Sequence, residues 1–326
     1  MKKRRLISNG QIPDLAQPKP FLRWAGGKRR LTDLLINSFP ESFEPKSNSY
    51  FEPFIGGGAL VFALGDNTGE LYIPGKNLYL NDSNPDLIVT YQVVRSEIDS
   101  LIKKLSRLAQ DTSKSAYEKI RSSSPEDEIG RAARFIYLNK TCFNGLWRVN
   151  SRGVFNVPWG KLKNPLIFDE EGLHACSNRL KGAHITRGDF GKAAAKAKKG
   201  DLVYFDPPYL PLTSSANFSK YAKDDFTVED HQRLANLIKT LTKNGVHVIL
   251  SNSDTPLSRE IFGSVLDLRQ ISMNRSISAS GNSRKPVMEI LGTSFPITKS
   301  ATLSEYKKIN RTKKIDFENA RHHNRI

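Results

Sequence analysis

Residues 201–209 read DLVYFDPPY. The apolar run Leu202–Phe205 has the composition of a buried strand, but Asp206, Pro207, Pro208 and Tyr209 cannot extend it, because neither proline carries the N–H that a sheet ladder needs. The strand therefore stops on a carboxylate, and two rings that fix φ aim the chain that follows. A plain proline turn is one reading of this stretch. A binding segment held at a strand end is the other, and it suits a planar amine: an exocyclic NH2 offers two donors, Asp206 can accept one, and the carbonyl of Pro207 the other. The ring of Tyr209 supplies a stacking surface. Held so, the nitrogen lone pair points at an electrophile, and no strong base is required, because the nitrogen becomes more acidic as it is substituted.

Similar apolar runs, each ending in a polar or acidic residue, recur along the chain: YFEPF (50–54), LYLND (78–82), HITRGD (184–189), LVYFD (202–206) and VIL into SNSD (248–254). Helical patterns lie between them, such as VEDHQRLANLIKTLTK (228–243), with apolar positions at three- and four-residue steps. Strands alternating with helices predict an α/β chain with a doubly wound, mostly parallel sheet, whose ligands bind at the carboxyl ends of the strands. The alternation lapses over 86–182, which reads as an inserted, mainly helical subdomain. The expected organisation is a flexible basic arm (1–20), a catalytic domain from 21–85 and 183–297 around that insert, and a basic tail (298–326).

Two glycine segments mark candidate binding loops. FEPFIGGGALVF (51–62) runs from a strand through Gly56, Gly57 and Gly58 into a helix, and glycines there let the backbone approach a ligand closely. The spacing is not G-x-G-x-x-G, which argues against a nicotinamide or flavin cofactor. Asp82, at the end of the next strand, can accept hydrogen bonds from both ribose hydroxyls, or it can simply cap the turn before Pro85. FLRWAGGK (21–28) places Trp24 and Lys28 around a glycine pair. The indole face suits a sulfonium or another cation and the lysine a ligand carboxylate, although the segment also reads as a basic helix start.

The excess of 50 Lys+Arg over 33 Asp+Glu, a formal charge of +17, points to a polyanion, with nucleic acid first. A basic solubility surface is the alternative. Cys142 and Cys176 have no metal-binding spacing and the six histidines form no ligand pattern, so neither a disulfide framework nor a metal is expected. The opening MKKRRLISNG is followed by polar residues where a signal peptide would be apolar. No stretch has the length of a membrane helix. A cytoplasmic protein without a membrane partner is expected.

With these residues assembled, the chain resembles the Dam-type DNA adenine N6-methyltransferases. FLRWAGGK, FEPFIGGGALVF, NDSN, YLNKTCFNGLWRVNSRGVFNVPWG, GDF, DPPYLPLTSSANF, SNSDT and the RSIS…RK segment stand in the family's order across most of residues 19–295. The resemblance implies a Rossmann-like class I methyltransferase fold with an inserted DNA-recognition subdomain. It implies S-adenosyl-L-methionine as cofactor, held by Trp24, Ala25, Gly26, Gly27, Lys28, Phe54, Gly56, Gly57, Gly58, Asp82, Asp189, Phe190 and Asp206. It further implies a catalytic segment Asp206, Pro207, Pro208 and Tyr209 that receives a flipped adenine. Duplex DNA carrying GATC would be read by Arg23, Leu146, Arg148 and Pro158, with Phe143 wedging into the duplex and Asn144 and Arg152 also on the DNA. A cognate restriction endonuclease is a partner that such a protein can have. Phe143 stands where the family often has tyrosine and Arg23 where lysine is frequent. Trp147 and Trp159 are bulkier than expected beside the reader arginine and in the following turn. Methylation of cytosine N4 or of an RNA adenine, a catalytically silent DNA-binding protein, and a glutamine-methylating protein enzyme are the rival functions at this point.

Overall fold

Each apolar run becomes a strand. In the computed structural model these are β1 (Tyr50–Glu52), β2 (Leu78–Asp82), β3 (His184–Arg187), β4 (Leu202–Phe205) and β5 (His247–Ser253). The structure describes residues 17–64, 72–210, 226–273, 287–297 and 307–308. Most of the basic arm and of the tail, the RSIS…RK segment up to residue 286, and the stretch after DPPYL lie outside the described residues. The chain divides into two compact units, one of residues up to Asp206 with Asn244–His247, the other of Pro207–Lys243 and the residues from Val248 on.

In the first unit β3, β2, β1 and β4 lie side by side in that order, all parallel. The chain leaves β1 for β2 and β3 on one side and returns to β4 on the other. The carboxyl ends of β1 and β4 therefore flank a topological switch point, where open parallel sheets bind ligands. Apolar side chains of the strands and of the crossover helices form the core, and Tyr50, Phe51, Phe62, Tyr91 and Phe205 have almost no exposure. Helix α1 (Thr32–Asn37) follows the FLRWAGGK turns, and the short α2 (Ala59–Ala63) follows the glycine turn. Helix α3 (Pro85–Ser96) starts where Asn84 accepts the N–H groups of Asp86 and Leu87, with Pro85 in the first turn, a position that needs no donor.

Between β2 and β3 the chain is helical, as expected: α4 (Ile98–Leu108), α5 (Lys114–Ser122), α6 (Glu128–Thr141) and α7 (Glu170–Leu180) join α3. Helix α6 packs against α3, α4 and α5, while α3 and α7 pack on each other and α3 on β2 and β3. Between α6 and α7, a 3-10 turn at Phe143–Gly145 leads into a small hairpin, with Val149 opposite Phe155 and Cys142 opposite Trp159. Helix α8 (Phe190–Ala194) follows β3, N-capped by Asp189.

The second unit holds α9 (Val228–Lys243), α10 (Pro256–Gly263), β6 (Asp267–Met273), β7 (Val287–Thr293) and the two-residue β8 (Lys307–Lys308). Strand β7 lies between β5 and β6, antiparallel to both, and β8 pairs antiparallel with β6. The α/β Rossmann-like class is as expected, and among the described residues the antiparallel pairs of named strands belong to this unit. Among the described residues no helix is long and apolar enough to cross a membrane.

Candidate active site

The glycine turn after β1 is built by contacts that exclude side chains. Gly56 has φ +46, and a Cβ there would lie 2.8 Å from Cδ1 of Trp24; Gly58 has φ +68, and its Cβ would lie 2.6 Å from the Tyr91 hydroxyl. Trp24 thus covers the turn. The Tyr91 hydroxyl donates to the Gly56 carbonyl (3.0 Å), and the Gly56 N–H donates to Asp82 Oδ2 (3.1 Å). Asp82 Oδ1 accepts the Asn84 N–H (3.0 Å). Burial pushes the Asp82 carboxyl up, and the N–H groups of Asn84, Gly56 and Ser83 pull it down. The turn-capping reading of Asp82 is therefore realised, and the same carboxylate fixes the glycine turn.

Lys28 is 4% exposed. Its Nζ bonds the Gly26 carbonyl at 2.6 Å and lies 2.9 Å from Asp206 Oδ1. A charge-assisted bond of this length fixes the direction of the carboxylate as well as its position. Sequence reasoning gave Lys28 a ligand carboxylate; the structure gives it the acid that ends β4. Phe54 stacks on Phe190 (5.2 Å between centroids, 28°) and meets Phe205 edge-on at 6.4 Å, forming an apolar wall beside that carboxyl end. Asp189 Oδ1 accepts from Gly191 and Lys192, at 2.9 and 3.2 Å, as the cap of α8.

Three further residues of this unit carried no assignment in the sequence. Asn81 donates to the carbonyls of Pro53 and Gly188, both at 3.0 Å, tying the end of β1 to the end of β3. Asn139, fully buried in α6, accepts the Arg23 N–H (2.8 Å) and donates to the carbonyls of Arg23 (2.7 Å) and Gly145 (3.1 Å). Glu52 is 2% exposed, takes a 2.6 Å bond from the Tyr50 hydroxyl, and is also bonded by the backbone of Val61 in α2. The only signal for Glu52 was an acid inside an otherwise apolar strand.

Burial pushes the Glu52 carboxyl up to about 8, and the Asp206 carboxylate adds to the shift against the bonds of Tyr50 and Val61. The folded chain then keeps a proton that the unfolded chain releases above about 4.5. Glu52 therefore takes nothing from stability below that pH and progressively more as pH rises to about 8. Glu52→Gln is expected to gain thermal stability relative to the parent across that window. Melting curves of both proteins at several pH values check it; a parallel pair of curves would show that Glu52 is ionised throughout.

The recognition candidates gather on one stretch. Arg23, Phe143, Asn144, Leu146, Arg148, Arg152 and Pro158 are all exposed. Gly145 packs directly on Arg23, where a Cβ would meet the arginine Cβ at 2.6 Å, and the Phe143 N–H bonds the Pro158 carbonyl (2.9 Å). Asn150 Oδ1 holds the N–H groups of Arg152 and Val154, both at 3.0 Å. Trp24, Phe135, Trp147 and Phe155 form an aromatic column with centroid spacings of 6.2, 3.9 and 4.6 Å. The bulk of Trp147 is thus used inside the fold. Lys140 is pushed down to about 8 by burial and by the charges of Arg23 and Arg29, a concentration of positive charge beside the exposed stretch.

In the second unit Tyr209 donates its hydroxyl to Glu289 Oε2 (3.0 Å). Leu210 is held on β5 by bonds from its N–H to Asn252 (3.3 Å) and from the Ser253 hydroxyl to its carbonyl (2.7 Å).

Comparison with known proteins fits this arrangement. Residues 24–277 match the model of the D12 class N6 adenine-specific DNA methyltransferases. This chain belongs to that family. The methyltransferase is 39% identical over 285 residues to the type II methyltransferase M1.LlaDCHI of Lactococcus lactis subsp. cremoris, covering 85% of this chain and 95% of that one. It is 38% identical over 283 residues to the type II methyltransferase M.MjaIII of Methanocaldococcus jannaschii, covering 82% and 95%. It is 35% identical over 282 residues to the DNA adenine methylase of Salmonella typhi, covering 85% and 96%. It is accordingly an adenine-specific DNA methyltransferase. Cytosine N4, RNA adenine and a silent DNA-binding role, which the residues alone left open, are set aside.

Proposed function

We propose that the enzyme methylates the N6 of an adenine flipped out of duplex DNA, with S-adenosyl-L-methionine as donor and GATC as target. The observation that carries this reading is the acid ending β4, Asp206, held by buried Lys28 at the switch point of the sheet, next to a glycine turn that no side chain could enter. Bound there, the cofactor supplies an electrophilic methyl group on a sulfonium. Ala25, Gly26, Gly27, Lys28, Phe54, Asp82, Asp189 and Phe190, with the glycine turn that Trp24 covers, would hold such a ligand: carboxylates and aromatic faces stand at the strand ends. Asp206 and the Pro207 carbonyl accept the two N6 hydrogens, which orients the nitrogen lone pair, and Tyr209 offers its ring to the base.

Flipping is required because a paired adenine keeps N6 in the groove, and unstacking costs a few kcal/mol. The insert, residues 86–182, is the proposed recognition subdomain that offsets this cost. The exposed stretch from Phe143 to Pro158 and the charges of Arg23, Arg29 and Lys140 support that role. The type II names of two relatives support a companion restriction endonuclease for this enzyme too.

Transfer of labelled methyl from S-adenosyl-L-methionine to two duplexes that differ only in GATC against GTAC, followed by nucleoside analysis, tests the reading. N6-methyladenine on the first duplex alone is expected. Label on both would remove the assigned recognition while keeping the enzyme. Arg148 is the reader with the clearest geometry: its Nε is held by Asn156 Oδ1 at 2.8 Å, which leaves its other nitrogens for guanine O6 and N7. Arg148→Ala is expected to lower discrimination at one guanine by about 1–3 kcal/mol, read as kcat/KM on single-base variants of the site. Equal weakening on every duplex would assign Arg148 to phosphate instead.

A further inference from the structure

The backbone torsions of the segment that follows β4 are restricted as far as φ of Pro208. Both proline rings lock φ, and a residue that precedes proline is held extended, which restricts ψ at Asp206 and at Pro207. The first torsion able to turn is ψ of Pro208. It sets the direction of the Pro208 carbonyl and of the Tyr209 ring that follows.

His231 stands at that bond. The residue is 1% exposed on α9, with Nε2 3.1 Å from the Pro208 carbonyl and Nδ1 2.8 Å from the Thr227 carbonyl. Phe226 at 4.7 Å and Phe262 at 6.1 Å meet the imidazole edge to face and fix its plane. A carbonyl only accepts, so each bond needs the proton on the ring nitrogen. Both bonds at once require the charged ring, which burial opposes more strongly than the two carbonyls favour it. The Thr227 carbonyl also receives the backbone N–H of His231 (3.1 Å). Among the described residues the imidazole is the one donor at the Pro208 carbonyl. Among the described residues, the bond through Nε2 is therefore the one without a substitute.

We propose that His231 is a positioning residue for methyl transfer: its Nε2–H holds the Pro208 carbonyl and so sets the torsion that orients the Tyr209 ring, whose far end is tied to Glu289. This rests on the reading of Asp206–Tyr209 as the adenine-binding segment. It adds a residue from α9 that neither touches the base nor belongs to the motif.

Two conservative variants separate this role from simple packing. The amide nitrogen of Gln reaches where Nε2 stands and that of Asn where Nδ1 stands, so His231→Gln retains the bond to Pro208 while His231→Asn retains the one to Thr227. Because a misplacement of about 1 Å can cost about 100-fold in rate, His231→Asn is expected to lose roughly 10–100-fold in kcat. Its KM for S-adenosyl-L-methionine and for DNA should change little, and His231→Gln should recover most of the loss. Equal kcat in the two variants, whether high or low, overturns the proposal. Should either variant fail to fold, 15N spectra of the histidine rings in the unmodified enzyme decide: a protonated Nε2 on His231 is required, and a bare one overturns the assignment. Failure of the underlying reading would show separately, as unimpaired transfer by Asp206→Ala, and would remove the proposal with it.

Discussion

Asp206→Ala is expected to lower the single-turnover rate of methyl transfer by roughly 10²–10³-fold, the usual cost of removing one preorganised hydrogen-bonding group from a reacting centre, while leaving duplex binding largely in place. The structure adds a second effect. Lys28 is buried and its ammonium lies 2.9 Å from Asp206 Oδ1, so the alanine variant leaves a desolvated charge without its acid. Breaking a buried pair from one side costs about 3–5 kcal/mol. A lower melting temperature should therefore accompany the lost activity. Replacing Lys28 by Met in the same chain should restore much of the stability and none of the turnover, because an apolar side chain needs no partner. Rate and melting curve, measured on the single and the double variant, separate the two roles. Near-normal turnover of Asp206→Ala would refute its place in the chemistry; an unchanged melting temperature would show that Lys28 finds another acceptor.

Gly58→Ala is expected to weaken the fold by a comparable amount. Its φ of +68 places an L-residue in the left-handed region, and the new Cβ would lie 2.6 Å from the Tyr91 hydroxyl and 2.9 Å from Phe62. The backbone strain is about 1–2 kcal/mol and overpacking adds about 1–3. Tyr91 cannot retreat without losing its bond to the Gly56 carbonyl. Because Gly56 is in turn bonded to Asp82, the disturbance reaches the candidate ribose acceptor, and weaker binding of S-adenosyl-L-methionine should accompany a fall in melting temperature. Calorimetric titration and a thermal melt on one preparation check both. A variant that melts like the parent would mean that the turn relaxes without its tyrosine.

The DPPY segment and the helix at 228–243 were legible because their signals are local. Two prolines forbid a ladder wherever they stand, and a helical spacing of apolar residues fixes which face is buried, so α9 spans the residues its pattern marks. The ordered motifs carried the family for the same reason, since each is a short stretch whose chemistry is contained in it. The glycine turn was only half legible. Its glycines announced a close approach, but not that the approaching groups are Trp24 and Tyr91.

The inventory is written along the chain: strands that end on acids, glycines where backbone must stay bare, a carboxylate followed by two rings, and a helical insert in a strongly basic chain. Which groups meet was decided by the tertiary structure. The pairing of Lys28 with Asp206, the grip of Asn139 on Arg23 and Gly145, and the bond from His231 to Pro208 join residues that no pattern in the chain relates. The order of the strands brings β1 and β4 together, although β2, β3 and the whole insert separate them along the chain. The physical reason is that backbone propensity and hydrophobic spacing act over a few residues, whereas a buried charge or amide is stable only where distant segments bring it a partner.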